Sequence, residues 1–145
     1  MGSTWKRQTS VGTSAHGGRL VDAGATLTAL APAANGDIVA MMRIEPPMGT
    51  HLWSARSSDR GRTWSPAVET PLRGFPAHLL RLRDGRLLCT YGHREQPIGI
   101  RAAISRDDGR TWREDDIVSL RSDGTGPPSD SGYPLTAEVA DGTLV

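Results

Sequence analysis

The sequence of 145 residues is poor in cysteine and carries almost no net charge. Cys89 is its single cysteine, which excludes an intrachain disulfide and a cysteine-based metal cluster within this sequence. The 17 basic and 16 acidic residues leave a net charge of +1, so no overall field favours nucleic acid or an anionic membrane. We therefore predict neither a nucleic-acid nor a membrane partner, and no residue spacing predicts a metal or another cofactor.

Long apolar runs and helical periodicity are missing as well. The sequence has no run of 18 apolar residues, and its first residues lack the apolar core of a signal peptide. These absences leave open whether the protein is cytoplasmic or secreted. Because no segment sustains an apolar period of 3.6 residues, we expect very little helix.

One eight-residue motif occurs twice. Residues 57–64 and 105–112 both fit Ser-x-Asp-x-Gly-x-Thr-Trp, and their tryptophans are 48 residues apart. In a tight turn the Asp carboxylate accepts backbone N–H bonds, the Gly permits a positive φ, the Thr hydroxyl closes the loop and the Trp covers apolar surface. The motif is therefore predicted to stabilise the fold rather than to catalyse. Its residues are Ser57, Asp59, Gly61, Thr63 and Trp64 in the first copy, and Ser105, Asp107, Gly109, Thr111 and Trp112 in the second.

Short apolar runs joined by turn dipeptides flank both copies. The turns Asn35-Gly36, Asp84-Gly85 and Asp141-Gly142 each follow one run and precede another, which is the strongest short-range signal of a β-hairpin. The turn glycines are 49 and 57 residues apart, an interval typical of four-stranded propeller blades. We predict blade units at about residues 22–70 and 74–120 and an incomplete unit at 132–145. The first twenty residues or so are interpreted as the last strand of a preceding blade and a loop.

The repeated motif resembles the Asp-box of sialidases and similar BNR-repeat proteins. The resemblance covers essentially the whole chain, and residues 79–112 look most like bacterial sialidase-like glycoside hydrolases. It implies an all-β fold, a partial β-propeller with six blades when complete, and Asp-box turns between the third and fourth strands of each blade. About two full blades and parts of the flanking ones cannot close a ring. We therefore expect residues 1–145 to be a fragment of one propeller domain whose remaining blades are missing, with a ring of several copies as the alternative.

Ligand-binding residues are expected at the end of the blades away from the Asp-boxes. The starts of the first strands and the segments after the second strands meet there, and these segments carry Arg43, His78, His93 and Arg94. The resemblance implies that the two arginines are candidates to bind a sugar carboxylate, which is the role of the arginine cluster in sialidases, and the two histidines are further substrate-binding candidates. The alternative for the arginines is ordinary surface exposure, since all basic residues except Lys6 are arginine.

Catalytic residues are harder to find. Tyr133 is a candidate for the phenol nucleophile of sialidases, and Asp130 is a candidate acid or base. Packing between blades is the alternative for Tyr133. Residues 43–46 read Arg-Ile-Glu-Pro, which differs from the Arg-Ile-Pro motif of sialidases. Neither the arginine triad nor the Tyr–Glu pair of these enzymes can be assembled from the residues of this sequence.

Two functions follow from this resemblance. The first is a sialidase-like exo-glycoside hydrolase that acts on glycans with terminal sialic or related acidic sugars. The alternative is a non-catalytic Asp-box propeller that binds a glycan or a protein.

Overall fold

The computed structural model describes residues 14–16, 19–21, 25–44, 50–125 and 132–145. Within these ranges the chain is built from strands, with one 3₁₀ turn at Glu114–Asp116 and no described helix long and apolar enough to cross a membrane. The strands are β1 Ser14–His16, β2 Arg19–Val21, β3 Ala25–Pro32, β4 Ile38–Ile44, β5 His51–Ser57, β6 Val68–Arg73, β7 Ala77–Arg81, β8 Leu87–His93, β9 Ile98–Ser105 and β10 Val118–Gly124. The predicted all-β character and scarcity of helix are confirmed.

The strands form two antiparallel sheets of four, each joined in chain order. The first sheet has the order β3-β4-β5-β6, the second β7-β8-β9-β10, and β1 pairs only with β2 among the described strands. We call the two sheets the first and second blade. Their first strands, β3 and β7, lie side by side. Most of the first twenty residues, which the sequence predicts as the last strand of a preceding blade and a loop, lie outside the described residues.

Antiparallel pairing gives each blade two distinct ends. The turns after β3 and β7, and the Asp-box turns after β5 and β9, lie at one end, which we call the Asp-box end. The connections after β4 and β8, and the link from β6 to β7, lie at the other, which we call the loop end. Both Asp-boxes thus connect the third and fourth strands of a blade, as the resemblance implied.

An apolar core joins the two blades face to face. Val39, Met41 and Leu52 of the first blade are fully buried against the second. The second blade contributes Leu79, Leu87, Cys89, Tyr91, Ala103 and Trp112. Each fully buried aliphatic side chain of this size stabilises the fold by about 1.5–3 kcal/mol, so the contact between blades is a major source of stability. Burial also raises the pKa of the Cys89 thiol, which is a small residue of this core.

The two Asp-box turns have the same hydrogen bonds. In the first, Asp59 accepts from the Thr63 backbone N–H at 2.8 Å and from its hydroxyl at 2.7 Å, while the Ser57 hydroxyl accepts from Gly61 N–H at 2.7 Å. In the second, Asp107 accepts from the Thr111 N–H at 2.9 Å and from its hydroxyl at 2.6 Å. The carboxylates therefore satisfy backbone donors of the turn, which is the structural role that the sequence predicted.

These bonds lower the pKa of both carboxyl groups. The Thr63 hydroxyl, the Thr63 N–H and the Ser57 hydroxyl lower the pKa of Asp59 from 3.8 to about 2. Burial opposes ionisation of Asp107, but bonds from the Thr111 hydroxyl and N–H and from Ser105 outweigh it, so its pKa is also lowered. Both turns are consequently most stable when their aspartates are ionised.

The second Asp-box also fastens the two blades together. The Asp108 carboxylate accepts a hydrogen bond from the Ala34 N–H of the first blade at 2.8 Å. The backbone carbonyl of Asp108 accepts one from the Arg56 guanidinium. Arg56 in turn pairs with Asp37 at 3.0 Å. A Cβ on Gly109 would lie only 3.2 Å from both terminal methyl groups of Val39, so this glycine allows the turn to approach the first blade closely. We call the bonded residues Ala34, Asp37, Arg56 and Asp108 the interblade clasp.

The third unit begins as a short hairpin against the second blade. Backbone bonds connect Ala137 with Val145 at 2.8 and 2.9 Å around the turn glycine Gly142. Arg83 of the second blade donates from its N–H to Glu138 at 2.8 Å and from its guanidinium to the Ala140 carbonyl at 2.8 Å. The hairpin predicted at Asp141-Gly142 is thus present.

The lowered aspartate pKa values predict a dependence of stability on pH. Above about pH 4 both Asp-box carboxylates are ionised and stabilise the fold, and this contribution is lost as the pH falls through the folded-state pKa, which is about 2 for Asp59. Asp59→Asn should therefore be less stable than the wild type at pH 7, and the difference should shrink towards pH 2. Urea unfolding followed by tryptophan fluorescence measures this difference. Asp115→Asn, in an exposed side chain outside both motifs, is the control, and a pH-independent difference for Asp59→Asn would contradict the prediction.

Candidate functional site

The loop end is organised by a close approach of two backbone segments. Gly74 donates its N–H to the Thr50 carbonyl at 2.9 Å, and Phe75 donates to the Gly92 carbonyl at 2.8 Å. Gly74 has a φ of 136°, and a Cβ there would lie 2.0 Å from the Gly92 oxygen. Only glycine therefore fits, and the contact holds Phe75 at the junction of the two blades. The Phe75–Pro76 peptide bond is cis.

Phe75 brings the two predicted substrate-binding arginines together. The guanidinium carbon of Arg43 lies 3.9 Å from the centre of the Phe75 ring, and that of Arg94 lies 4.7 Å from it. Arg94 also donates from Nε to the Phe75 carbonyl at 2.7 Å. Two cations from neighbouring blades thus share one aromatic ring, an arrangement that cation–π attraction favours.

The two arginines reach this ring from different backbone positions. The sequence placed Arg43 in the segment after the second strand, but Arg43 is the sixth residue of β4 and pairs with Thr26 and Leu52. Arg94 directly follows β8. The prediction that both arginines follow a second strand is therefore wrong for Arg43, because β4 continues through Arg43 to Ile44.

The two predicted histidines each contact a backbone group of a neighbouring segment. His93 is 3% exposed, and its Nδ1 lies 3.0 Å from the Arg73 carbonyl. His78 accepts the N–H of Thr136 at Nδ1 over 3.2 Å, so its ring faces the third unit. Both rings hold neighbouring backbone groups in place, and their contact with a substrate stays a prediction.

A polar cluster beside Phe75 was not expected from the sequence. Glu95 accepts from the Thr50 hydroxyl at 3.2 Å and lies 3.6 Å from an Arg73 guanidinium nitrogen. Nearby, His51 and Glu69 form a pair at 2.5 Å across β5 and β6. Arg73 immediately precedes the Gly-Phe-Pro triplet, which was the one local signal that pointed to it.

The weak catalytic candidates are placed only in part. Tyr133 is 71% exposed at the start of the third unit, after Gly132 with a φ of 85°. Asp130 lies outside the described residues, so its position relative to Tyr133 is not described. No group of three potential metal ligands occurs among the residues that the structure describes.

The fold and the repeated Asp-box define a sialidase-like propeller, of which the chain forms two neighbouring blades and parts of others. All 145 residues match the family model of the BNR repeat-like domain, and the chain belongs to this family. No curated protein matches the chain.

Two solved structures are similar to the chain. A protein of unknown function from Dyadobacter fermentans DSM 18053 is 35% identical over 70% of this chain, with a TM-score of 0.61. The alpha-L-arabinanase of Penicillium chrysogenum, complexed with arabinobiose, is 24% identical over 63% of the chain, with a TM-score of 0.50, which is a likeness of fold. The alignments cover only 27% and 32% of these two proteins, so the chain corresponds to about a third of each or less.

The backbone contact at Gly74 gives a test of how the loop end is built. Gly74→Ala combines an unfavourable φ with a Cβ clash against the Gly92 carbonyl, and we expect it to destabilise the protein by about 3 kcal/mol or more. Gly36→Ala has a similar positive φ of 89° but no atom within 4 Å of its Cβ, so it should cost only about 1–2 kcal/mol. Urea unfolding measures the free energy of unfolding of both variants. Equal losses of stability in Gly74→Ala and Gly36→Ala would show that the backbone shifts to relieve the clash, and would contradict the prediction.

Proposed function

We propose that residues 1–145 belong to one propeller domain of a sialidase-like exo-glycoside hydrolase, and that Arg43 and Arg94 bind the carboxylate of a terminal sialic or related acidic sugar. The units at about 22–70, 74–120 and 132–145 are its successive blades, and other blades complete the ring. The observation that carries the proposal is the convergence of two guanidinium groups from neighbouring blades on the Phe75 ring.

The charge at this place favours an anionic ligand. Arg43 and Arg94 are both guanidinium groups, and both are held against one ring at the loop end. A carboxylate is recognised by the planar, two-pronged donor arrangement of a guanidinium. A neutral sugar does not offer such an acceptor, which is why we infer an acidic one.

The arginines are also held in place before a ligand binds. The bond from Arg94 Nε to the Phe75 carbonyl fixes the plane of one guanidinium, and the ring supports the other at 3.9 Å. Arginine otherwise loses considerable side-chain entropy when it grips a ligand, so this support lowers the cost of binding. Phe75 is thus a positioning residue of the proposed site.

A hydrolase also requires groups that act on the glycosidic bond. In sialidase-like hydrolysis a tyrosine replaces the usual carboxylate nucleophile. Tyr133 is our candidate for this role because its side chain is exposed and it is the middle residue of a Gly-Tyr-Pro triplet that corresponds to Gly74-Phe75-Pro76 of the second blade. Asp130 is the accompanying candidate acid or base.

A non-catalytic propeller that binds glycans or a protein is the second candidate. The carboxylate described closest to the arginines in the chain, Glu95, is already engaged by Arg73 and Thr50. The described contacts of Glu95 are with groups of the protein itself, as expected of a carboxylate that stabilises the loop end, which favours binding without hydrolysis.

Hydrolysis and binding assays on the intact protein test the proposal. The wild type should cleave a fluorogenic sialoside and bind sialyllactose more tightly than lactose. Arg43→Gln and Arg94→Gln should each weaken the interaction with the sialylated ligand by about tenfold or more, because each removes a charged hydrogen-bonding partner. Arg62→Gln, an exposed arginine in the first Asp-box turn, is the matched control and should behave as the wild type.

The outcomes separate the two candidates. Binding of sialyllactose without cleavage of the sialoside, with loss of binding in both variants, supports the non-catalytic propeller. Equal binding of sialyllactose and lactose, or arginine variants that behave like Arg62→Gln, would refute a carboxylate site at Phe75.

A further inference from the structure

A cavity lies between the blades, beside β6 of the first blade and β8, β9 and β10 of the second. It has a volume of about 410 Å³ and is lined by Pro71 and Arg73 of β6, and by residues of the second blade that include Tyr91, Arg101 and Glu114. This volume is within the range of small-molecule sites in proteins. We call it the interblade groove; Arg43, Phe75 and Arg94 are not part of its lining.

Tyr91 gives the groove a buried hydrogen-bond donor. Its side chain is 0% exposed, and its hydroxyl has no hydrogen-bond partner among the described residues. Burial raises the pKa of Tyr91 to about 12, so the phenol keeps its proton at neutral pH and is able to donate. Buried hydroxyl groups normally have a partner, and one that lines a cavity without one indicates an acceptor supplied from outside the protein.

Arg101 places a positive charge beside this hydroxyl. Arg101 pairs directly with Tyr91 across β8 and β9, and on its other side it faces Ser119 of β10. Within the part of the chain that the structure describes, the guanidinium of the partly buried Arg101 makes no hydrogen bond or ion pair. Arg73 adds a second guanidinium on the opposite wall, where its contact with Glu95 is long at 3.6 Å. The groove therefore presents two cations and one neutral donor to the same space.

The remaining polar groups favour a ligand with hydroxyls as well as a charge. Glu114 lines the same groove and is an acceptor for hydroxyl donors, while Ser119 is able to donate and accept. Pro71 and Ile117 add apolar surface suited to the C–H face of a sugar ring. A bare inorganic anion would use the arginines but leave Glu114 repelled.

We propose that the interblade groove is a binding site for a small hydroxylated carboxylate, the chemical class of a sugar acid. Arg101 and the Tyr91 hydroxyl bind its carboxylate, Arg73 contributes from the first blade, and Glu114 accepts from its hydroxyls. This site is separate from the proposed site at Phe75 and does not depend on it.

A neighbouring cavity extends the same contact surface. It has a volume of about 220 Å³, shares Pro71 with the groove and is lined by Trp112, whose indole N–H is also buried without a partner among the described residues. Two buried donors thus lie along one surface between the blades.

Tyrosine NMR and calorimetry on the intact protein test the proposal with D-glucuronate as the probe. With ¹³C at tyrosine Cζ, the Tyr91 signal, identified by its loss in Tyr91→Phe, should shift in a saturable manner, and the Tyr133 signal should not. Arg101→Gln should weaken binding about tenfold or more, and Tyr91→Phe about three- to tenfold, because the first variant loses a charged donor and the second a neutral donor to the carboxylate. Arg121→Gln, on β10 but outside the groove lining, is the control and should bind as the wild type.

Tyr91→Phe also controls for folding. Because the hydroxyl has no described partner to lose, this variant should unfold at the same urea concentration as the wild type or at a higher one. A Tyr91 signal that does not shift, or D-glucuronate binding that is unchanged in Arg101→Gln, would overturn the proposal. Equal binding of D-glucuronate, acetate and inorganic phosphate would overturn the sugar-acid class. The sialoside assays on Arg43→Gln and Arg94→Gln test the site at Phe75, so their outcome is independent of D-glucuronate binding in the interblade groove.

Discussion

The structure depends on the apolar contact between its two blades. Each blade is a twisted sheet with two faces to cover, and the second blade covers one face of the first with a continuous buried cluster. Both arginine-lined places, the one at Phe75 and the interblade groove, are made of residues from both sheets. Neither place exists unless the sheets meet at the correct angle, so packing of the core comes before any binding chemistry.

Polar bonds fix what the apolar contact alone leaves variable. Hydrophobic burial is non-directional and tolerates sliding of one sheet over another. The interblade clasp opposes sliding at the Asp-box end, since Arg56 and Ala34 of the first blade both bond to Asp108 of the second. At the loop end the backbone bonds of Gly74 and Phe75 do the same. The register of the two blades is therefore fixed at both ends.

Local sequence signals predicted most of the fold and little of the site. The Asn35-Gly36 and Asp84-Gly85 turns and the two Asp-boxes depend on neighbouring residues, so their strands could be located from the sequence within one or two positions. The stacking of Arg43 and Arg94 on Phe75 involves residues up to 51 positions apart, and the sequence indicated only which end of the blades they share. The clasp at Asp108 and the groove at Arg101 gave no local signal, because both arise from contact between sheets.

The nearness of Gly109 to Val39 has a geometrical consequence. Because residue 109 is a glycine, the second Asp-box turn packs directly against the first blade and keeps the two sheets close together at this corner. A larger side chain at position 109 would push the two sheets apart at the Asp-box end and change the angle between them. The spacing of the cationic groups at the loop end is thus governed in part by a corner at the opposite end of the blades.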